Sequence, residues 1–188
     1  MPEGASEAGR HPAPIRAAVV MGVSGCGKTE VGEALARLLG WRFIEGDRLH
    51  PPANIERMSA GLPLTDAHRW SWLDAIGEKV AEAGREQAGA IAACSALKRI
   101  YRNRLRRYDH GIVFIYLEID KATAAARVAT RKGHFMPASL INSQFADLEP
   151  PDSAETAITL DARRSVDDIV AQAAAAFAGE VGPSVRQA

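Results

Sequence analysis

The sequence predicts an α/β fold, a five-stranded parallel sheet with helices on both faces. Two observations carry that prediction. Five short apolar runs, at 17–21, 41–44, 90–94, 112–117 and 157–160, alternate with segments of helical period, the pattern of successive strand–helix–strand units. The first run leads directly into Gly22-Val23-Ser24-Gly25-Cys26-Gly27-Lys28-Thr29, and then into Val31, Leu35, Leu38 and Leu39 at helical spacing. Strand, glycine loop and helix in that order are the setting in which G-x-x-x-x-G-K-[ST] holds phosphate. The glycines let backbone N–H groups converge on an anion. The helix N-terminus adds partial positive charge at the same point. Lys28 is placed to reach the β- and γ-phosphates of a nucleotide, and the Thr29 hydroxyl to ligate Mg²⁺.

The bulk properties narrow the function classes. Lysine plus arginine and aspartate plus glutamate both number 23 in the 188 residues, which argues against a dedicated nucleic-acid binder. The apolar runs are strand-length, so no membrane partner is expected. Residues 1–14 read as a disordered tail, 15–179 as one domain and 180–188 as a flexible tail. Two cysteines, Cys26 and Cys94, make no disulfide framework and fit a reducing cytoplasm.

The strand after the first helix ends in Glu45-Gly46-Asp47, followed by Arg48-Leu49-His50-Pro51-Pro52. Two carboxylates split by glycine at a strand end suit ligand chemistry. Glu45 can hold a water on Mg²⁺, and Asp47 can take the proton of an acceptor hydroxyl. The alternative is an acidic turn that caps the next helix. A short helix over 53–60, ended by Gly61, carries Asn54, Arg57 and Met58. Arg57 is either a surface charge or a substrate anchor. Asp66 is expected as the N-cap of a longer helix with Trp70, Trp72, Leu73, Ile76 and Val80.

The third strand runs into Ser95-Ala96-Leu97-Lys98, with Arg99, Arg102, Arg104, Arg106 and Arg107 beyond. Lys98 and Arg102 are one turn apart and share a face. They are expected to clamp a carboxylate or phosphate near a strand end; the remaining arginines read as a solvated face. After the fourth strand, Arg127 and Arg131 stand at i, i+4, and a break at 132–137 precedes a second helical stretch over 138–148. An arginine-bearing hairpin of this kind, at about 131–149, reads as a lid.

Four segments give the chain a resemblance to the gluconate kinases, a small branch of the P-loop phosphotransferases. They are 21–29, 46–51 continuing into 54–58, 94–98 with Tyr101 and Arg102, and 131–135 with Gln144 and Phe145. The resemblance implies a P-loop NTPase fold with strand order 2-3-1-4-5, a helical lid and, commonly, a homodimer. It implies ATP and Mg²⁺ as cofactors and transfer of the γ-phosphate to the C6 hydroxyl of D-gluconate. Under it, residues 22–29 bind ATP, Arg127 packs on adenine, Arg131 reaches the transferring phosphoryl group and His134 joins the substrate site. Cys26 stands where a serine is expected, and Glu45 where an aspartate is common. Gluconate needs cations for its carboxylate and polar groups for its hydroxyls. Lys98, Arg102 and Arg57 are the candidate cations, and His50 and Asn54 the candidate polar groups.

Overall fold

The structure, a computed structural model, describes residues 15–130, 140–178 and the backbone of 185–186. Arg131 and His134, the first part of the expected lid, and the tail at 1–14 lie outside the described residues. Among those described, six strands form one parallel sheet: β1 Ala17–Met21, β2 Arg42–Glu45, β3 Ala90–Ala93, β4 Val113–Glu118, β5 Ala157–Asp161 and β6 Val185–Arg186. The order is β2-β3-β1-β4-β5-β6. The expected order 2-3-1-4-5 therefore holds. It is extended by β6, two residues in the segment expected to be a flexible tail, which pairs with Ile158 and Thr159 of β5.

Among the described residues, seven α-helices connect the strands: α1 Lys28–Leu39, α2 Pro52–Ser59, α3 Asp66–Arg85, α4 Arg99–Arg106, α5 Lys121–Thr130, α6 Ile141–Asp147 and α7 Val166–Ala178. Strand alternation sends neighbouring side chains to opposite faces. In β1, Ala18 and Val20 join α1 and α7, together with Val113, Ile115 and Leu117 of β4. Ala17, Val19 and Met21 join α3 and α4, together with Phe114 and Tyr116. Both faces of the central strands are thus covered, which is why those strands read as unbroken apolar runs.

Two boundaries differ from the sequence expectation. Glu45 is the last residue of β2 rather than part of the turn. Asp66 is the first residue of α3, and Thr65 is its N-cap, in a capping box with His68. With Thr65 in the capping role, Asp66 is released for the ion pair described below.

Candidate active site

The site lies at the carboxyl ends of β1, β2 and β3, where open parallel sheets place their ligands. The loop 22–27 follows β1 and wraps the start of α1. Gly25 has φ +86, and a β-carbon there would stand 2.7 Å from the carbonyl oxygen of Ala124. Only glycine lets the loop pass this close to α5. The Lys28 ammonium donates to the Val23 carbonyl at 3.1 Å, which holds it over the loop. The pocket at this loop is lined by Ser24, Gly25, Gly27, Lys28, Thr29, Glu30 and Asp47.

The acidic strand end meets the loop as expected. Thr29 Oγ1 donates to Glu45 Oε2 at 2.7 Å. The other Glu45 oxygen accepts from the Asp47 backbone N–H at 3.3 Å. A hydroxyl and a carboxylate so joined form a hard-oxygen pair that suits Mg²⁺. Between the two carboxylates, Gly46 is forced by contact. A β-carbon on it would lie 2.2 Å from the Ala93 carbonyl oxygen, and its own carbonyl accepts from Trp72 Nε1 at 2.7 Å. The turn that carries Asp47 is thus seated on β3 and α3.

A second cleft opens from the first. Ser24, Lys28 and Asp47 line both, and His50, Met58, Pro63, Leu64, Arg69, Ser95, Leu140, Ser143 and Gln144 complete the second. His50 is buried and stacks on Trp72 at a centroid distance of 4.1 Å and 12°. Burial pushes its imidazole down to about 4, with Asp47 opposing that shift and Arg69 adding to it, so at neutral pH it is an uncharged hydrogen-bonding group. Asn54 is buried beside it and donates to the His68 carbonyl at 2.8 Å, with His50 Nδ1 at 3.5 Å. Asn54 therefore ties α2 to α3 behind His50 and does not line the cleft. Gln144 of α6 bridges to the phosphate loop, accepting from the Ser24 N–H at 2.7 Å and donating to the Ser24 hydroxyl at 3.2 Å.

The three expected carboxylate anchors are placed otherwise. Arg102 is 1% exposed and turns inward. Its Nε and Nη2 donate to Glu155 at 2.8 and 2.6 Å. Its Nη1 donates to the carbonyls of Ala96, Leu97 and Glu149 at 3.1, 3.1 and 3.0 Å. Burial opposes the Glu155 charge, but the Arg102 and Arg106 guanidiniums overcome it and hold the carboxyl below its usual range. Arg102 is a brace between the end of β3 and the segment before β5, not a substrate clamp. Lys98 does not share its face: it is the N-cap of α4 and donates to Asp66 at 2.8 Å, with Asp147 at 3.4 Å. The Asp66 hydrogen bond holds its ammonium above the usual range. Arg57 donates to the Pro63 carbonyl at 2.8 Å and is absent from the cleft walls. Of the remaining arginines, Arg104 is not merely solvated: it binds Asp74 through two 2.6 Å hydrogen bonds.

Arg69 is the residue that sequence reasoning missed. It lies on the buried stripe of α3 with Trp72, Leu73 and Ile76. An arginine at i relative to apolar i+3, i+4 and i+7 was the available signal.

On the far side of the loop, a cleft is lined by Gly25, Gly27, Arg127, Thr130, Ala162 and Arg164, among others. Arg127 donates to the Ala162 carbonyl at 2.9 Å and to that of Gly25 at 3.4 Å, so it spans the phosphate loop and the connection after β5. Cys26 and Cys94 are both buried and free. Burial raises both thiols, Cys94 to about 12, the setting of inert structural cysteines.

Comparison with known proteins now bears on these clefts. The AAA domain family model matches residues 18–151. The chain is 47% identical over 162 residues to a gluconokinase of Gluconobacter oxydans, covering 86% of this chain and 91% of that one. It is 42% identical to the thermosensitive gluconokinase of Escherichia coli, covering 73% of each. The chain belongs to the gluconokinase family. Among solved structures, a gluconokinase from Sinorhizobium meliloti 1021 superposes with a TM-score of 0.79 at 44% identity, covering 90% of this chain and 95% of that one. An unliganded sugar kinase from Janibacter gives 0.83 at 40% identity, covering 90% and 99%. The gluconokinase family is thus matched over most of the chain.

Proposed function

We propose that this protein phosphorylates D-gluconate at its C6 hydroxyl with ATP, giving 6-phospho-D-gluconate and ADP. The observation that carries the reading is that Asp47 lines both the phosphate pocket and the adjoining cleft. A carboxylate at that junction is where an acceptor hydroxyl meets a γ-phosphate.

In this reading the backbone of residues 22–28 and the Lys28 ammonium hold the triphosphate, and Arg127 flanks the base. The C6 hydroxyl of gluconate donates its proton to Asp47 as its oxygen bonds to the γ-phosphorus. The bond from that phosphorus to the β,γ-bridging oxygen breaks, and ADP leaves. Charge on the transferring group is offset by Lys28 and, as the resemblance implies, by Arg131. Thr29 and Glu45, through a water, would hold Mg²⁺, which would neutralise phosphate charge when bound. Among the described residues no group of three or more His, Cys, Asp or Glu side chains could hold a metal. An ion ligated by Thr29 and the phosphates fits that donor set, because Mg²⁺ keeps waters and phosphates in its shell. His50 offers the substrate hydroxyls a neutral ring nitrogen, and His134 is proposed to join it.

The same reading includes a homodimer and a cytoplasmic location. Among the described residues no helix is long and apolar enough to cross a membrane. Sedimentation of the purified protein tests the dimer.

The deciding experiment is ADP release from Mg·ATP against D-gluconate, shikimate, other sugar acids and nucleoside monophosphates. Turnover with gluconate, with the 6-phosphate as product, is the expected result. A folded protein that binds ATP but gains no turnover from gluconate would remove the acceptor from this reading and leave the phosphate site standing.

A further inference from the structure

We infer that Arg69 is the residue that binds the carboxylate of the acid substrate and so selects acids over neutral polyols. The inference rests on the gluconate reading above and names an anchor that the sequence did not suggest. Geometry of the substrate comes first. Gluconate carries its carboxylate on C1, at the opposite end of a six-carbon chain from the reacting hydroxyl. With C6 at Asp47, the carboxylate must lie in the part of the cleft that the phosphate pocket does not share.

That part is bounded by Met58, Leu64 and Leu140, together with Pro63, Arg69 and the polar residues His50, Ser95, Ser143 and Gln144. The first three are apolar and buried, and form a small cluster of their own. A carboxylate there would be stripped of water, which is costly without a paired cation. Among the described residues, the cations on the cleft wall are Lys28 and Arg69. Lys28 sits at the phosphate end. Lys98, Arg102 and Arg57 are engaged elsewhere, as described.

Arg69 itself is prepared for an anion. Its residue exposure is 8%, and its buried Nε has no hydrogen-bond partner among the described residues. A buried, unsatisfied donor of this kind is rare in a native fold and calls for a partner. The contacts that Nη2 does make are long: the Leu64 carbonyl at 3.4 Å and Asp147 Oδ2 at 3.7 Å. The guanidinium also lies against an aromatic ring, with Cζ 5.4 Å from the centroid of Tyr101. A guanidinium with Nε unpaired offers the edge that binds a carboxylate through two oxygens. It discriminates because a neutral group in its place gives the Nε edge no charged acceptor, and the long contact to Asp147 does not supply one there.

The test compares D-gluconate with D-gluconamide, which has the same chain and a neutral carboxamide, in wild-type protein and in Arg69→Gln. Wild-type kcat/KM should favour gluconate by roughly 100-fold. Arg69→Gln should lose most of that preference through gluconate alone, with gluconamide turnover and the KM for ATP within about threefold of wild type. Equal losses on both acceptors would make Arg69 a structural residue and overturn the inference, as would an unchanged preference for gluconate. Should Arg69→Gln fail to fold, Arg69→Lys carries the test. It keeps the charge but not the two-donor edge, so a rise in gluconate KM of about tenfold at constant ATP KM is expected, and an unchanged KM is the contrary result. Wild-type protein inactive on gluconate would overturn the functional reading, and this anchor with it. Wild-type protein active on gluconate, with variants that keep its selectivity, would overturn the anchor alone.

Discussion

The two joined clefts differ in how they are built. The phosphate pocket is made almost entirely from consecutive residues, 24–30, and its chemistry is mostly backbone. The acceptor cleft is assembled from side chains that arrive from six separate stretches: the phosphate loop, the turn after β2, α2 with its following loop, α3, the segment after β3, and the region of α6. The first is fixed by local conformation. The second exists only once the sheet and helices have packed. A site of the first kind tolerates change around it, whereas a site of the second kind depends on braces that never touch a ligand. Arg102 with Glu155 is such a brace, and Asn54 is another.

Asp47, shared by both clefts, gives the largest expected effect. Asp47→Asn should cut kcat by a factor of roughly 10²–10⁴, the range for a positioned base, while ATP affinity by calorimetry stays near wild type. A loss in ATP affinity of similar size would mean that the clefts are one site and would break the comparison. Next comes the brace. Glu155→Ala strands a buried guanidinium and should cost about 3–5 kcal/mol of stability. That corresponds to a fall in melting temperature of about 10 °C for a chain of this size. A drop of only a degree or two would show that Arg102 finds water, and that the acceptor side is not held by this pair.

A smaller effect is read from pH. The His50 imidazole lies at about 4 in the fold against about 6.5 when unfolded. The unfolded chain therefore binds the extra proton first, and stability falls as pH drops from about 6.5 towards 4. The loss reaches roughly 3 kcal/mol once both states are protonated. Urea unfolding of wild type and His50→Gln across that range should show a shallower slope in the variant. Parallel slopes would mean that His50 is hydrated in the fold. The smallest effect is expected within the local site. Cys26→Ser should leave kcat and ATP affinity within about threefold, because this position contributes backbone to the loop. Its side chain is buried against Gly22, so a modest loss of stability is expected instead.

The same contrast explains what could be read from the chain. The glycine loop and the acidic strand end follow from short stretches whose chemistry is complete in sequence, whereas the order of β1 to β5 comes from the family resemblance. For Lys98 and Arg102, proximity to a strand end is too coarse a guide to what the cations face. Lys98 and Arg102 do follow β3, but Arg102 has a buried partner 53 residues away and Lys98 a half-exposed one 32 residues away. No local pattern reveals a carboxylate that far along the chain. Arg69 was hidden for the opposite reason. Its helix reads as a core element, and an arginine on the apolar stripe looks like noise until the cleft beside it is seen.

Gly46 has one more consequence. The turn bearing Asp47 rests on the Ala93 carbonyl below and is held by the Trp72 indole through its own carbonyl. Its conformational entropy is therefore lost once, when the chain folds, and not again with each substrate. The effective concentration of the carboxylate at the acceptor oxygen is a property of the empty protein. At this turn, substrate binding has only the six-carbon acid itself to order.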